Sequence, residues 1–210
     1  MAVITIAREL GSDGDKIADL LCQRLGCRRV DKEIVAQIAT EAGVEVELVE
    51  AKESRTASRP KLVSAEMTAL YRKDPSAFRS KSNLDDQTYQ RLMRETMEHF
   101  AQEGNVIIVG RGGQMVLKDW PTALHVRLYA PPEVRVHCLM TRFNISAAVA
   151  EQRIKRSDEE KREYIRQMHQ YADWSSLKHY HLVINTAAIA PEVATEIIVL
   201  AAQHKAKTVT

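Results

Sequence analysis

A glycine-containing turn near the amino terminus carries residue types that bind phosphate. Residues 7–18 read Ala-Arg-Glu-Leu-Gly-Ser-Asp-Gly-Asp-Lys-Ile-Ala. Consecutive backbone N–H groups in such a turn, backed by a helix N-terminus, form an anion cradle, and glycine allows close approach to a phosphate. On this pattern alone, a tight turn in which Asp13 or Asp15 caps the following helix is the preferred interpretation. The standard loop pattern, GxxxxGK followed by Ser or Thr, is absent, and the two acidic residues would repel phosphate unless a metal or nearby cations intervene.

A second glycine turn places an arginine at the end of a strand-like run. Residues 109–113 read Val-Gly-Arg-Gly-Gly. The guanidinium of Arg111 could clamp a phosphate through two parallel hydrogen bonds, or it could pair with a carboxylate at the sheet edge. The flanking glycines leave room for a ligand, so the pattern favours phosphate binding.

Basic residues are concentrated between residues 153 and 164. Arg153, Arg156 and either Lys161 or Arg162 lie at steps of three to five residues, so several of them can share one helix face. Taken alone, this pattern is typical of a solvated helix with intrahelical ion pairs. The same charges on a mobile flap could instead close over a triphosphate and neutralise the charge that develops during transfer.

Other catalytic chemistries find little support in the sequence. The seven histidines show no metal-ligand spacing apart from His179 and His181, for which no third ligand is evident, so no metal site is predicted. The three cysteines form no CxxC pair and are interpreted as free thiols in a reducing compartment, which indicates a cytoplasmic protein. A covalent hydrolase is disfavoured because there is no Gly-x-Ser-x-Gly motif and no persuasive Cys–His pairing.

The elements that must position these residues alternate between buried strands and amphipathic helices. Strands are expected at residues 2–7, 28–31, 106–109, 123–129 and 180–185. Helices are expected at about residues 17–25, 32–42, 89–102, 133–142, 145–171 and 191–204. This alternation predicts an α/β fold in which a parallel sheet is sandwiched between helices. Ligands in that architecture bind at the carboxyl ends of the strands, where both glycine turns fall.

Length and composition indicate one globular domain spanning residues 1–210. The chain is 45% hydrophobic and 28% charged, as in an ordinary soluble protein, and 210 residues are too few for two comfortable domains. A formal net charge of +2 does not indicate a nucleic-acid or membrane partner. The amino terminus lacks a secretory-signal pattern, and no apolar run approaches the roughly 20 residues needed to span a bilayer.

Taken in order along nearly the whole chain, these motifs resemble the cytidylate kinase-like family, a divergent branch of the P-loop nucleoside monophosphate kinases. No single motif is specific to this family, but the complete set of motifs is. The resemblance implies a P-loop NTPase-like fold with a helical acceptor-side insertion at about residues 44–100 and a charged lid at about residues 145–172. The matching stretches are residues 4–14 with Ile17 and Ala18, then 30–34, 106–113, 128–131, 158–164, 173–174 and 180–186.

The resemblance implies ATP-dependent phosphoryl transfer, with Mg²⁺, to a nucleoside monophosphate such as CMP or dCMP. Such a reaction needs no covalent intermediate, because two nucleotides are aligned for in-line transfer and cations stabilise the spread charge. The implied donor-nucleotide residues are Arg8, Gly11, Ser12, Asp13, Gly14, Asp15 and Lys16. The implied acceptor residues are Asp31, Gly110, Arg111, Gly112 and Asp158. The implied catalytic residues are Lys16, Arg111, Arg153, Arg156 and Arg162.

The chain departs from the ordinary cytidylate kinases at several of these positions. Gly14 stands where they have the loop lysine, Lys16 stands where their hydroxyl residue would be, and Gly112 takes the place of an aspartate. Arg8 matches an arginine typical of the divergent branch, so Arg8 or Lys16 could supply the missing charge. The alternative is a catalytically weak or inactive nucleotide-binding regulatory protein. A nucleic-acid-binding module fits poorly with the near-neutral charge and 5% aromatic content.

Overall fold

Short apolar strands build the centre of the molecule. The structure, a computed structural model, describes residues 2–47, 49–50, 85–170 and 172–207. Within these ranges, five parallel strands form one sheet in the order β2-β3-β1-β4-β5. Their bounds are Val3–Arg8 (β1), Arg28–Val30 (β2), Val106–Val109 (β3), Ala123–Tyr129 (β4) and Leu182–Asn185 (β5).

Helices connect the strands and cover both faces of the sheet. Gly26 and Gly43 end the first two helices in the left-handed conformation, at φ 63° and 65°, which suits a residue without a Cβ. The helices of the described ranges are Gly14–Leu25 (α1), Lys32–Ala42 (α2), Asp86–Glu103 (α3), Gly113–Val116 (α4), Pro132–Phe143 (α5), Ala147–Met168 (α6) and Pro191–Lys207 (α7), with a 3-10 helix at Leu177–His179.

Alternate residues of each strand enter two separate cores. Ile4 and Ile6 of β1 pack with α1 and α7, whereas Val3 faces the core that contains α2 and α3. This division follows from the two-residue period of a strand, which sends successive side chains to opposite faces. Burial on both faces explains why the strands are nearly continuous apolar runs.

The α/β sandwich expected from the sequence is confirmed; the differences lie at element ends and in two short helices that were not expected, α4 and the 3-10 helix at Leu177–His179. The last strand begins at Leu182 rather than at residue 180, because the N–H of Tyr180 bonds to Leu177 O in the preceding turn. Helix α6 starts after Ser146, whose hydroxyl accepts a bond from the N–H of Val149 at 3.4 Å. The middle of the expected insertion, residues 51–84, lies outside the described residues. None of the helices in the described ranges is both long and apolar enough to cross a bilayer.

Candidate active site

A cleft of about 410 Å³ opens at the carboxyl ends of β1 and β3. This is the edge at which parallel α/β sheets bind ligands. Basic side chains from two strand ends and from α6 share the cleft with aromatic side chains. The described lining residues are Ala7, Arg8, Asp31, Val109, Gly110, Arg111, Gly112, Gln114, Arg156, Ser157, Glu160, Lys161, Tyr164, Ile165 and Trp174.

Asp31 holds two arginines at the floor of this cleft. Its carboxylate and its backbone carbonyl both accept hydrogen bonds from Nη1 of Arg111, and Nη2 of Arg8 lies 3.4 Å from the carboxylate. The sequence left open whether Arg111 pairs with a carboxylate or binds a phosphate; in the structure it pairs with Asp31 and also lines the cleft. An anion entering here would meet two guanidinium groups, each able to form paired hydrogen bonds.

Backbone conformation directs Arg111 towards Asp31. Gly110, Arg111 and Gly112 all adopt positive φ, at 83°, 49° and 71°. The left-handed region costs a non-glycine residue roughly 1 kcal/mol, so the arginine is held in a conformation that its own backbone disfavours. A Cβ at position 112 would lie 2.3 Å from Nε2 of His169, so an aspartate, as in ordinary cytidylate kinases, would require the His169 side chain to move.

The amino-terminal glycine turn leaves the start of α1 without a side-chain cap. Asp13 occupies the N-cap position in a left-handed conformation and makes no capping bond with its side chain. Asp15 instead binds Arg29 at 2.6 Å and lies 3.5 Å from Arg8. Burial favours a higher pKa for Asp15, but these arginines outweigh it and hold the pKa below its ordinary value. The arginines therefore offset the charge of Asp15, one of the two acidic residues of the turn, beside a helix N-terminus whose N–H groups can bind an anion.

Gly11 and Ser12 serve the packing of this turn. A Cβ on Gly11, where φ is 83°, would lie 2.8 Å from the backbone oxygen of Arg135. The Ser12 hydroxyl is buried and donates to the carbonyl of Glu9 at 2.8 Å. These two residues thus shape the turn, and the hydroxyl of Ser12 is already engaged.

Arg8 and Lys16 are the two candidates to replace the charge of the absent loop lysine, and they lie in different places. Arg8 lines the cleft and crosses between the two glycine turns: its Cβ lies 2.5 Å from the point where a Cβ on Gly14 would sit, and its Nη1 lies 2.8 Å from the corresponding point on Gly110. Lys16 is 54% exposed and pairs with Glu192 of α7 at 2.8 Å. The geometry therefore brings Arg8, and not Lys16, to the cleft.

Helix α6 contributes some of the expected lid residues to the cleft. Arg156 lines it and binds Glu160 at 2.7 Å. Arg153 instead lies over the ring of Phe143, 5.7 Å from its centroid. Arg162 is exposed and is not among the described lining residues. The spacing analysis left Lys161 and Arg162 as alternatives, and the structure places Lys161 in the cleft.

Asp158 forms an ion pair with Arg135, which the sequence analysis did not identify as a site residue. Arg135 of α5 donates to both carboxylate oxygens of Asp158, at 2.8 and 2.9 Å, and to the carbonyl of Leu10 at 2.7 Å. Its side chain is only 5% exposed. Nothing in the helical pattern of α5 distinguishes Arg135 from a surface residue, so its role depends on tertiary structure.

Glu9 and Arg127, which the sequence analysis also missed, link the amino-terminal turn to the ring of Trp174. Glu9 binds Arg127 at 3.1 Å and Arg135 at 3.4 Å. The guanidinium of Arg127 lies 4.8 Å from the ring centroid of Trp174. The sequence did contain a signal that could have identified Arg127. It is a charged residue within a largely apolar strand, and a charged residue that is buried there needs a partner.

The described residues provide few carboxylate ligands for a Mg²⁺ ion. Within the described ranges, no three His, Cys, Asp or Glu side chains converge in a way that could hold a metal. Magnesium bound with nucleotides commonly takes one or two carboxylates and otherwise keeps phosphate and water ligands. Asp31 in the cleft and Asp15, its neighbour across Arg8, are the carboxylates that could serve, and each is paired with arginines that a bound Mg²⁺ would have to displace.

Comparisons with known proteins agree with this architecture. The model of the cytidylate kinase-like family matches residues 3–188. A crystal structure of an uncharacterized protein from Eubacterium ventriosum ATCC 27560 is similar at 18% identity and a TM-score of 0.69, covering 97% of this chain and 98% of that one. Shikimate kinase from Bacteroides thetaiotaomicron is similar at 10% identity and a TM-score of 0.50, covering 94% and 96%.

These structural similarities show a P-loop kinase-like fold, and the family match supports phosphoryl transfer of the kinase type. No curated protein matches the chain. The matched region spans nearly the whole sequence and contains both glycine turns and α6. The chain therefore belongs to the cytidylate kinase-like family.

Proposed function

We propose that the protein transfers the γ-phosphoryl group of ATP to a nucleoside monophosphate, with CMP or dCMP favoured. The observation that carries this proposal is the convergence of Arg8, Arg111, Arg156 and Lys161 on one cleft beside an uncapped helix N-terminus. In the reaction, an acceptor phosphate oxygen attacks the γ-phosphorus and the bond to the bridging oxygen of ADP breaks. Cations that neutralise the shared charge are the main requirement for such a transfer.

Each group has a distinct part in this proposal. Arg111 binds the acceptor phosphate, Arg8 supplies a cation between the two glycine turns in place of the loop lysine, and Asp31 holds both arginines in position before the substrate arrives. The backbone N–H groups at the start of α1 bind the donor phosphates. Arg156 and Lys161 approach from α6, the proposed lid, and balance the charge on the transferred group. Mg²⁺, when bound beside Asp31 or Asp15, would neutralise phosphate charge and orient the donor.

The test is an ADP-release assay with ATP and Mg²⁺ against a panel of ribo- and deoxyribonucleoside monophosphates. We expect release above the ATPase background with CMP or dCMP. Arg111→Ala should lower kcat/KM by about 10²–10³-fold, the usual cost of removing a group that stabilises developing negative charge. Arg91→Ala is the matched control, because Arg91 is exposed on α3 and pairs only with Glu95 among the contacts described. Turnover with another acceptor would retain the mechanism and exclude cytidine specificity.

A regulatory nucleotide-binding protein is the second candidate. This candidate is favoured because Gly14 stands where ordinary cytidylate kinases have the loop lysine, and because Lys16 is paired with Glu192. This alternative predicts that ATP raises the melting temperature while no acceptor releases ADP. A folded protein that binds ATP and transfers nothing would exclude the kinase.

A further inference from the structure

Gln114 is a buried amide in the wall of the cleft. It lies in the first turn of α4, its exposed fraction is 3%, and it is among the lining residues. Its Nε2 is 3.2 Å from the hydroxyl oxygen of Tyr180, and that hydroxyl is 2.5 Å from the backbone oxygen of Trp174. The cleft thus contains a polar group whose orientation is set by two residues behind it.

The chain of hydrogen bonds has only one possible direction. A backbone carbonyl can only accept, so the hydroxyl of Tyr180 must donate its single proton to Trp174. The hydroxyl oxygen can then only accept from Gln114, which requires the NH₂ end of the amide to face Tyr180. Burial raises the pKa of Tyr180 to about 12, so its proton is retained at neutral pH. The carbonyl end of Gln114 therefore faces away from Tyr180 and is available as an acceptor.

The residues behind Gln114 are themselves held in place. The guanidinium of Arg127 lies 4.8 Å from the ring centroid of Trp174 and 5.9 Å from that of Tyr180. Glu9 binds Arg127 at 3.1 Å. Supporting contacts of this kind keep a recognition group in one orientation and so raise its selectivity.

We propose that Gln114 reads the acceptor base by accepting a hydrogen bond from the amino group at C4 of a pyrimidine, with Tyr164 and Trp174 flanking the ring. The inference rests on the proposed function. Cytosine presents a donor at C4, whereas uracil presents a second acceptor there and would oppose the Gln114 carbonyl. A site built around a buried hydrogen bond rejects the mismatched ligand strongly, because a polar group is otherwise left unpaired.

The experiment compares CMP and UMP, by calorimetric dissociation constants and by kcat/KM for ADP release. We expect the wild type to prefer CMP by at least about tenfold, a difference of about 1.4 kcal/mol. Gln114→Met keeps the length of the side chain and removes the acceptor, so the preference should fall to about onefold. Tyr180→Phe frees the amide to rotate and should reduce the preference at least about threefold while the fold is retained. Tyr129→Phe removes a hydroxyl outside the described lining and should leave the preference unchanged.

The possible outcomes separate this inference from the proposed function. The protein could bind CMP more tightly than UMP in a way that depends on Gln114 and yet transfer no phosphoryl group. This result would overturn the proposed kinase function and support the role of Gln114 in base recognition. Transfer to a nucleoside monophosphate with the same CMP-to-UMP ratio in Gln114→Met would overturn the inference alone. Equal affinity of the wild type for CMP and UMP would also overturn the inference. Failure to bind either nucleotide would overturn the inference and the cytidine preference, and failure of every acceptor in the panel to release ADP would overturn the kinase as well.

Discussion

Lys161 differs from the arginines of the cleft because its charge can change near neutral pH. Burial, together with the nearby charge of Arg8, lowers the pKa of its ammonium group from the ordinary 10.5 to about 8. Asp158 acts in the opposite direction but does not compensate. The ammonium form is therefore dominant below about pH 8 and is lost above it, so a role in phosphate binding would be pH-dependent.

Replacing Lys161 with arginine should remove this pH dependence. In the wild type we expect kcat/KM for the acceptor to fall as the pH rises through about 8, because the free enzyme loses a phosphate-binding charge. Lys161→Arg keeps its charge throughout this range, so its profile should stay level to at least about pH 9. Steady-state rates from pH 6.5 to 9.5 provide the measurement. An identical falling limb in both proteins would assign the ionisation to another group.

At the scale of elements, the Arg135–Asp158 pair fixes α6 against the amino-terminal turn. Arg135 belongs to α5, Asp158 to α6, and Leu10 to the turn that follows β1. One buried guanidinium thus connects three segments that each contribute to the cleft or its surroundings. The position of the lid cations Arg156 and Lys161 depends on this connection, because they lie on the same helix as Asp158.

Arg135→Met should destabilise the protein by about 3–5 kcal/mol, because Asp158 would be left without its arginine and Glu9 would keep, among the described residues, only the ion pair with Arg127. Urea unfolding followed by circular dichroism would measure the change in the free energy of unfolding. Arg91→Met removes a guanidinium from an exposed ion pair on α3 and should cost less than about 1 kcal/mol. A loss below about 1 kcal/mol for Arg135→Met would show that the pair does not anchor the lid.

The sequence predicted the elements well, but not the contacts between them. The strand at residues 106–109 and the helix at residues 32–42 agree with the structure, because apolar runs and glycine boundaries are local signals. Arg111 could be identified from the glycine turn that follows its strand, whereas Arg8 and Asp31 are candidates only through the family resemblance. The bond from Arg135 to Leu10 joins residues 125 positions apart, and no local pattern encodes such a pairing.

At the scale of the whole molecule, buried histidines make the fold sensitive to acid. Burial, together with His181 stacked on it at 4.7 Å, lowers the pKa of His125 to about 4. Burial also lowers the pKa of His169 to about 4, with Arg94 contributing. The unfolded chain binds these protons near pH 6.5, so folding becomes less favourable as the pH falls from 6.5 towards 4.

We expect the free energy of unfolding to fall over this window by up to about 1.4 kcal/mol per pH unit for each of the two histidines. The double variant His125→Gln/His169→Gln should have a shallower dependence than the wild type between pH 6.5 and 4.5. His99→Gln is the control, because His99 is half exposed on the surface of α3. Urea midpoints at several pH values would measure the slopes, and parallel curves for the wild type and the double variant would contradict the assignment.

The close approach of Arg8 to Gly14 also makes the choice of residue at one position depend on the other. A Cβ at position 14 would start 2.5 Å from the Cβ and 2.8 Å from the Cγ of Arg8, so the two positions cannot both carry long side chains without rearrangement. Introducing the ordinary loop lysine at position 14 would therefore require Arg8 to move or to be replaced. The effect of a substitution at either position should thus be non-additive with a substitution at the other.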